Sequence, residues 1–250
     1  MTRRKLIAGN WKMNGSLAAL AELDGIAAAA STAQAVDVAV AVPATLIAPA
    51  HARVSGLAIG AEDVHQDDNG AHTGCISAAM MREAGATFTI VGHSERRGDQ
   101  HETSHDAYLK SATARRNGLS VILCVGETQA ERDAGRAGNV VRAQIEEGLP
   151  EDAQGDWLTI AYEPRWAIGT GRTPTLDDIA TMHAIVRAKL REMIGDAGSD
   201  VRILYGGSAT GANAAEILAI DDVDGALVGG ASLTADKFVP IIEAARALSA

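Results

Sequence analysis

The chain is short of aromatic residues, cysteine and positive charge, and each shortage narrows what it can do. Aromatics are 3% of the 250 residues, so the core must be aliphatic, which suits layered parallel sheets and helices better than an aromatic binding platform. The two cysteines, Cys75 and Cys124, lie far apart and show no metal-ligand spacing. Cys124 sits in the apolar run Ser120–Val125 and reads as a buried small hydrophobe, a usage that fits a reducing, cytoplasmic compartment. Lys and Arg number 22 against 32 Asp and Glu, a formal net charge of −10. Such a chain repels nucleic acid and anionic membranes unless it concentrates a basic patch, so neither is expected as a partner. Its basic runs are short: Arg3-Arg4-Lys5, Arg96-Arg97 and Arg115-Arg116, the last reading as a solvated helix face. No stretch approaches about 18 consecutive apolar residues, which predicts no membrane span. The start, Met1-Thr2-Arg3-Arg4-Lys5, runs straight into a strand-like segment, and no cleaved leader is expected.

What is present is an alternation of short apolar segments with longer amphipathic ones. Strands are predicted at Lys5–Ala8, Val36–Val42, Leu57–Ala61, Phe88–Val91, Leu119–Val125, Leu158–Tyr162, Val201–Tyr205 and Gly225–Val228. Helices are predicted at Leu17–Ala30, Thr45–Val54, Ser77–Glu83, Glu102–Asn117, Gln129–Glu147, Leu176–Ile194, Ala212–Leu218 and Ala235–Leu248. Eight strands alternating with eight helices point to a parallel sheet. A doubly wound open sheet would place a glycine fingerprint after the first strand, with an acidic residue about 20 positions on. Here the first strand runs into Gly9-Asn10-Trp11-Lys12 instead. No linker or composition break divides the chain, so one α/β domain over residues 1–250, a single (β/α)8 barrel, is the expected architecture.

In such a barrel the working side chains stand just after the strands. Asn10 and Lys12 follow the first, His93 and Glu95 the fourth, Glu163 the sixth, Gly206-Gly207-Ser208 the seventh and Gly229-Gly230 the eighth. Glu163, at the rim of an apolar strand, reads either as a partly desolvated base with a raised pKa or as a salt-bridged strand-end carboxylate. His93 reads as a proton shuttle or as a satisfied structural histidine. Lys12 sets an ammonium beside a developing oxyanion or is an ordinary exposed lysine, and Asn10 binds substrate or holds the turn. The two late glycine pairs together favour phosphate over two tight turns. Between Pro164 and Pro174, Arg165-Trp166-Ala167-Ile168-Gly169-Thr170-Gly171-Arg172-Thr173 has the make-up of a lid.

At these residues the chain closely resembles the triosephosphate isomerase family. The matching stretches are Gly9-Asn10-Trp11-Lys12-Met13-Asn14-Gly15, Val91–Arg97, Cys124-Val125-Gly126-Glu127, Ala161–Gly171, Tyr205–Ser208 and Gly225–Leu233, spanning nearly the whole chain in the family's order. The resemblance implies proton transfer between dihydroxyacetone phosphate and glyceraldehyde 3-phosphate through an enediolate, in glycolysis and gluconeogenesis, with no metal or cofactor. It implies Glu163 as base, His93 as neutral electrophile, and Lys12 as the cation beside enediolate and phosphate. Asn10 would fix the oxygens, Glu95 would orient Lys12 or support the site, and Gly169, Ser208, Gly229 and Gly230 would hold the phosphate. The match at Gly70-Ala71 and Thr73-Gly74 implies a homodimer, with Cys75 at or near the interface. Departures from the family pattern are Arg165 for a common Val, Arg172 and Pro174 for Lys and Ala, Glu62-Asp63 for Gln-Asn, and Cys75 for Glu. A four-carbon ketose phosphate isomerase and a non-catalytic barrel are the rival readings. The intact Asn10-Trp11-Lys12 argues against the first. The retained Glu163, His93 and Lys12 argue against the second.

Overall fold

The computed structural model describes residues 3–167, 172 and 174–249. Its eight strands are β1 (Lys5–Asn10), β2 (Val36–Val42), β3 (Ala58–Ala61), β4 (Phe88–Val91), β5 (Ser120–Val125), β6 (Leu158–Tyr162), β7 (Arg202–Tyr205) and β8 (Gly225–Val228). Each pairs in parallel with its chain neighbour, and β8 closes the ring on β1, with Ile7 opposite Ala226 and Ala8 opposite Leu227. The strands alternate with period two. Leu6, Ala8, Ala39 and Ala41 turn inward with Phe88, Ile90, Ile122, Cys124 and Leu204, forming a small interior core. Ile7, Val38, Val40 and Val42 turn outward into the larger layer beneath the helices. Gly60 on β3 leaves the room that the Phe88 ring fills, since a Cβ there would lie 2.3 Å from the ring. Cys124 is fully buried there, as expected, and burial pushes its thiol pKa well up.

The helices are α1 (Glu22–Thr32), α2 (Ala44–Arg53), α3 (Ala78–Glu83), α4 (Ser94–Asp99), α5 (Ser104–Arg116), α6 (Gln129–Asp133), α7 (Ala137–Gly148), α8 (Leu176–Ile194), α9 (Ala214–Leu218) and α10 (Ala235–Ala247). Local chemistry sets several of their starts. Thr103 with Asp106, Thr128 with Glu131 and Thr175 with Asp178 form reciprocal capping boxes at α5, α6 and α8. Arg115 and Arg116 are exposed on α5, as expected, Arg115 lying over the Trp157 ring at 5.3 Å and Arg116 pairing with Asp68 at 2.9 Å. No helix among the described residues is long and apolar enough to cross a membrane.

Three expectations need correction. The helix expected over Leu17–Ala30 begins as a 3-10 turn at Ala19–Ala21 and becomes α-helical only at Glu22, leaving Leu17 exposed. The single helix expected over Gln129–Glu147 is two. Gly135, at φ +68°, ends α6 with a Schellman pattern in which Arg136 N–H reaches Glu131 O at 2.9 Å and Gly135 N–H reaches Arg132 O at 2.8 Å. The helix α4 was not expected at all: its six residues carry no apolar periodicity.

Candidate active site

The expected rim residues converge. Asn10, Lys12, His93, Glu95, Glu163, Ser208, Gly229 and Gly230 all line one cavity of about 630 Å³ at the C-terminal ends of the strands. Gly169 lies outside the described residues, with Ile168, Thr170, Gly171 and Thr173. A cavity of about 540 Å³ opens at the opposite end of the barrel. Three of its four charged groups are matched among themselves, Asp37 holding Arg4 at 2.6 Å and Arg202 at 2.7 Å. Chemistry, not size, singles out the first.

Glu163 and His93 are the most buried ionisable pair there, 2% and 5% exposed. Glu163 follows β6, and its carboxylate accepts three hydrogen bonds: from Ser94 N–H at 2.9 Å, Ser94 Oγ at 3.1 Å and His93 Nε2 at 3.0 Å. Gly206 makes room for it, since a Cβ there would come within 2.8 Å of the Glu163 Cγ. Burial works to raise the Glu163 pKa, but the His93 ring and the Ser94 donors outweigh it, so the carboxyl lies below its ordinary range. This corrects the expectation of a raised pKa. The reason is the donor set: a desolvated carboxylate met by three donors ionises more easily than one in a merely apolar pocket.

His93 caps α4, and its Nδ1 accepts the Glu95 N–H at 3.3 Å. That contact assigns the remaining proton to Nε2, which donates to Glu163 Oε1. Burial opposes a charged ring, and the neighbouring Glu163 carboxylate overrides it, so the His93 pKa is raised. The ring is therefore easier to protonate while Glu163 rests against it than it would be alone.

Lys12 adopts a left-handed backbone at φ +57°, unusual for a residue with a Cβ. Asn10 supports that turn through its Oδ1, which accepts the Lys12 N–H at 3.1 Å. The turn sends the ammonium across the cavity to Glu95 Oε1 at 2.7 Å, and the side chain passes Gly229. Ser208 and Gly230 are exposed to the same space, and Gly230 opens a 3-10 turn, Gly230–Ser232.

Sequence reasoning missed two supports. Ser94 supplies two of the three bonds to Glu163, and its signals were its place after His93 and within the matching stretch Val91–Arg97. Glu127, fully buried after β5, accepts Trp166 Nε1 at 2.8 Å and Tyr162 Oη at 3.1 Å. The Arg132 guanidinium covers the Trp166 ring at 4.4 Å. Trp166 is accordingly half-buried and Ala167 buried, so the segment after Pro164 is anchored at its first turn. Glu62 lines the adjoining cavity with Asn10, Lys12, Met13, His93 and Glu95. Burial pushes its carboxyl up to about 8, and its Oε1 has no hydrogen-bond partner. Among the described residues, the one group with metal-ligand spacing is His65, Asp67 and His72, on the segment joining β3 to α3. None of the three lines the cavity that holds the acid–base pair, and His65 Nδ1 already accepts the Asp67 N–H at 3.0 Å.

A closed parallel barrel whose rim joins a carboxylate to an imidazole, with a lysine and glycine-rich turns facing them, defines the chain as a (β/α)8-barrel protein equipped for acid–base work on an anion. Residues 5–245 match the triosephosphate isomerase family model, and the chain belongs to that family. It is 53% identical over 244 residues to a triosephosphate isomerase of Afipia carboxidovorans, covering 96% of this chain and 97% of the relative. It is 51% identical over 241 residues to one from Ruegeria sp., covering 96% and 98%. The crystal structure of the Bartonella henselae triosephosphate isomerase superposes with a TM-score of 0.91 at 42% identity, covering 96% of this chain and 98% of that one.

Proposed function

We propose that the chain interconverts dihydroxyacetone phosphate and D-glyceraldehyde 3-phosphate, as a step of glycolysis and gluconeogenesis. Family membership supports the reaction. The single observation that carries the mechanism is the convergence of Glu163, His93 and Lys12 on one cavity. Glu163 takes the proton from C1 of the ketone, and the C–H electrons form the C1–C2 double bond. The carbonyl oxygen becomes an enediolate oxygen, met by the His93 Nε2–H and the Lys12 ammonium. Glu163 returns the proton to C2, while His93 passes Nε2–H to the oxygen on C2 and recovers a proton from the hydroxyl on C1. Both residues end as they began.

Glu163 holds the His93 Nε2–H. A substrate carbonyl arriving at Nε2 must break that bond and release the carboxylate toward carbon. Asn10 sets the Lys12 turn and faces the substrate oxygens, and Glu95 orients the ammonium. Ser208, Gly229 and Gly230 would take the phosphate through backbone N–H groups, with Gly169 assigned on the family match alone. A grip on phosphate that excludes water protects the enediolate from losing it. This chemistry needs no metal or cofactor.

The proposal extends to one barrel domain acting as a cytoplasmic homodimer. Closure of β8 on β1 supports the single domain. Met13 is 97% exposed beside a cavity of about 550 Å³ whose lining includes Cys75 and Ile76, an apolar projection next to a socket that a second copy would cover. An exposed free Cys75 fits a reducing compartment. The test is turnover of dihydroxyacetone phosphate by purified protein in excess chelator, beside a four-carbon ketose phosphate. Chelator-insensitive turnover of the three-carbon substrate is expected. Turnover of the four-carbon substrate alone would reject the assignment.

A further inference from the structure

Arg165 stands where the family commonly has an aliphatic residue, and the roles above do not use it. It leaves the β6 rim two residues after Glu163 and lines the same cavity as Lys12 and the glycine turns. Its guanidinium crosses to α4, with Nη2 3.7 Å from where a Cβ on Gly98 would stand.

The neighbouring cations are occupied. Lys12 is paired with Glu95 at 2.7 Å. Arg96 is held by Asp63 and Glu102, and Arg97 by the carbonyls of Gly92 and Cys124 and the Ser104 hydroxyl. Arg165, half-buried, has neither hydrogen bond nor ion pair among the described residues. Glu131, the carboxylate on α6 that feels its charge, is committed to the Thr128 capping box at 2.7 and 2.8 Å. Among the described residues, the Arg165 guanidinium therefore faces the cavity without a counter-ion.

We propose that Arg165 is a phosphate-capture residue, an uncompensated cation that draws the phosphate dianion into the cavity against the chain's net negative charge. This rests on the isomerase reading above and deepens it. The need is physical: a net charge of −10 repels a dianion at long range, and a local cation within about a Debye length reverses the field at the mouth. Arg165 contributes to encounter and phosphate binding, not to proton transfer.

The test is steady-state kinetics on triose phosphate for the unmodified protein, Arg165→Gln and Arg165→Lys, from low to high ionic strength, with inorganic phosphate as competitive inhibitor. Arg165→Gln is expected to lower kcat/KM roughly three- to tenfold at low salt through KM, with kcat within about twofold. Its salt dependence should be shallower and phosphate inhibition weaker, while Arg165→Lys stays near the unmodified protein. An unchanged salt slope, a fall in kcat at constant KM, or a Lys variant as impaired as Gln would overturn the proposal. If the unmodified protein turns over no triose phosphate, the isomerase reading fails. Calorimetric binding of inorganic phosphate to the same variants then still decides whether the Arg165 charge captures it.

Discussion

His93 Nε2 and Glu163 Oε1 stand 3.0 Å apart, so the proposed electrophile and the proposed base occupy one another. The His93 ring and the Ser94 donors hold the Glu163 carboxyl below its ordinary range, so it stands ionised, the form that can accept a proton.

Replacing Glu163 with Ala should reduce kcat by about three orders of magnitude or more, the scale of a lost general base. Competitive inhibition by inorganic phosphate should survive, because the turns proposed to take the phosphate are separate elements. Equal loss of both would remove the division between base and cradle.

Ser94→Ala deletes the Oγ donor at 3.1 Å and leaves the N–H donor. The Glu163 pKa then rises toward its ordinary value. The sign follows from linkage: activity needs the free carboxylate, so the acid limb of the kcat/KM profile should move to higher pH, with little change above neutrality. A pH–rate series with an unmoved acid limb would contradict the donor-set account.

Glu62 makes an opposite, stability-based prediction. Its carboxyl titrates at about 8 in the fold against 4.5 ordinarily. Below 4.5 it is neutral in both states and costs nothing. Between 4.5 and 8 the unfolded chain ionises while the fold resists, and stability falls as pH rises. Glu62→Gln should therefore stabilise by a few kcal/mol at about pH 8 and by almost nothing near pH 4. Thermal unfolding at matched protein concentration at both pH values checks this. A gain that is equal at the two would mean that charge is not the cause.

Trp166→Phe removes the indole N–H that donates to buried Glu127 at 2.8 Å. A hydrogen bond to a buried carboxylate is worth about 1.5–3 kcal/mol, so loss of this anchor on the segment after Pro164 should lower kcat/KM about tenfold or more. Unchanged kinetics in a folded variant would show the contact to be structural only.

Met13→Arg puts a charge on the exposed side chain beside the second cavity. Light scattering should then report a smaller particle than the unmodified protein, at reduced activity. The same mass for both would remove Met13 from any interface.

Most of the fold was legible because strand and helix patterns here obey simple periods. The inward and outward sets on β1 and β2 alternate, and the rim residues stand just after their strands except Asn10, which is the last residue of β1. What was not legible depends on contacts across the chain. The short α4 exists because His93 caps it, not because Ser94–Asp99 has an apolar face. The depressed Glu163 pKa comes from His93 and then Ser94, about 70 residues away in the chain, which no local pattern couples to it. Glu127 was visible only as part of a motif, and its partners Tyr162 and Trp166 emerge only when β5, β6 and the segment after Pro164 meet. The lid expectation at Gly169 lies outside the described residues and is carried by the family match.

The central claim is proton abstraction by Glu163, and the most direct measurement is isomerisation of dihydroxyacetone phosphate in D₂O, followed by NMR of the trapped aldehyde product. The account predicts deuterium at C2 of glyceraldehyde 3-phosphate, because the proton taken by Glu163 exchanges with solvent before its return, and no isotope incorporation above background in Glu163→Gln. Full retention of protium at C2, or undiminished incorporation in the variant, would contradict it.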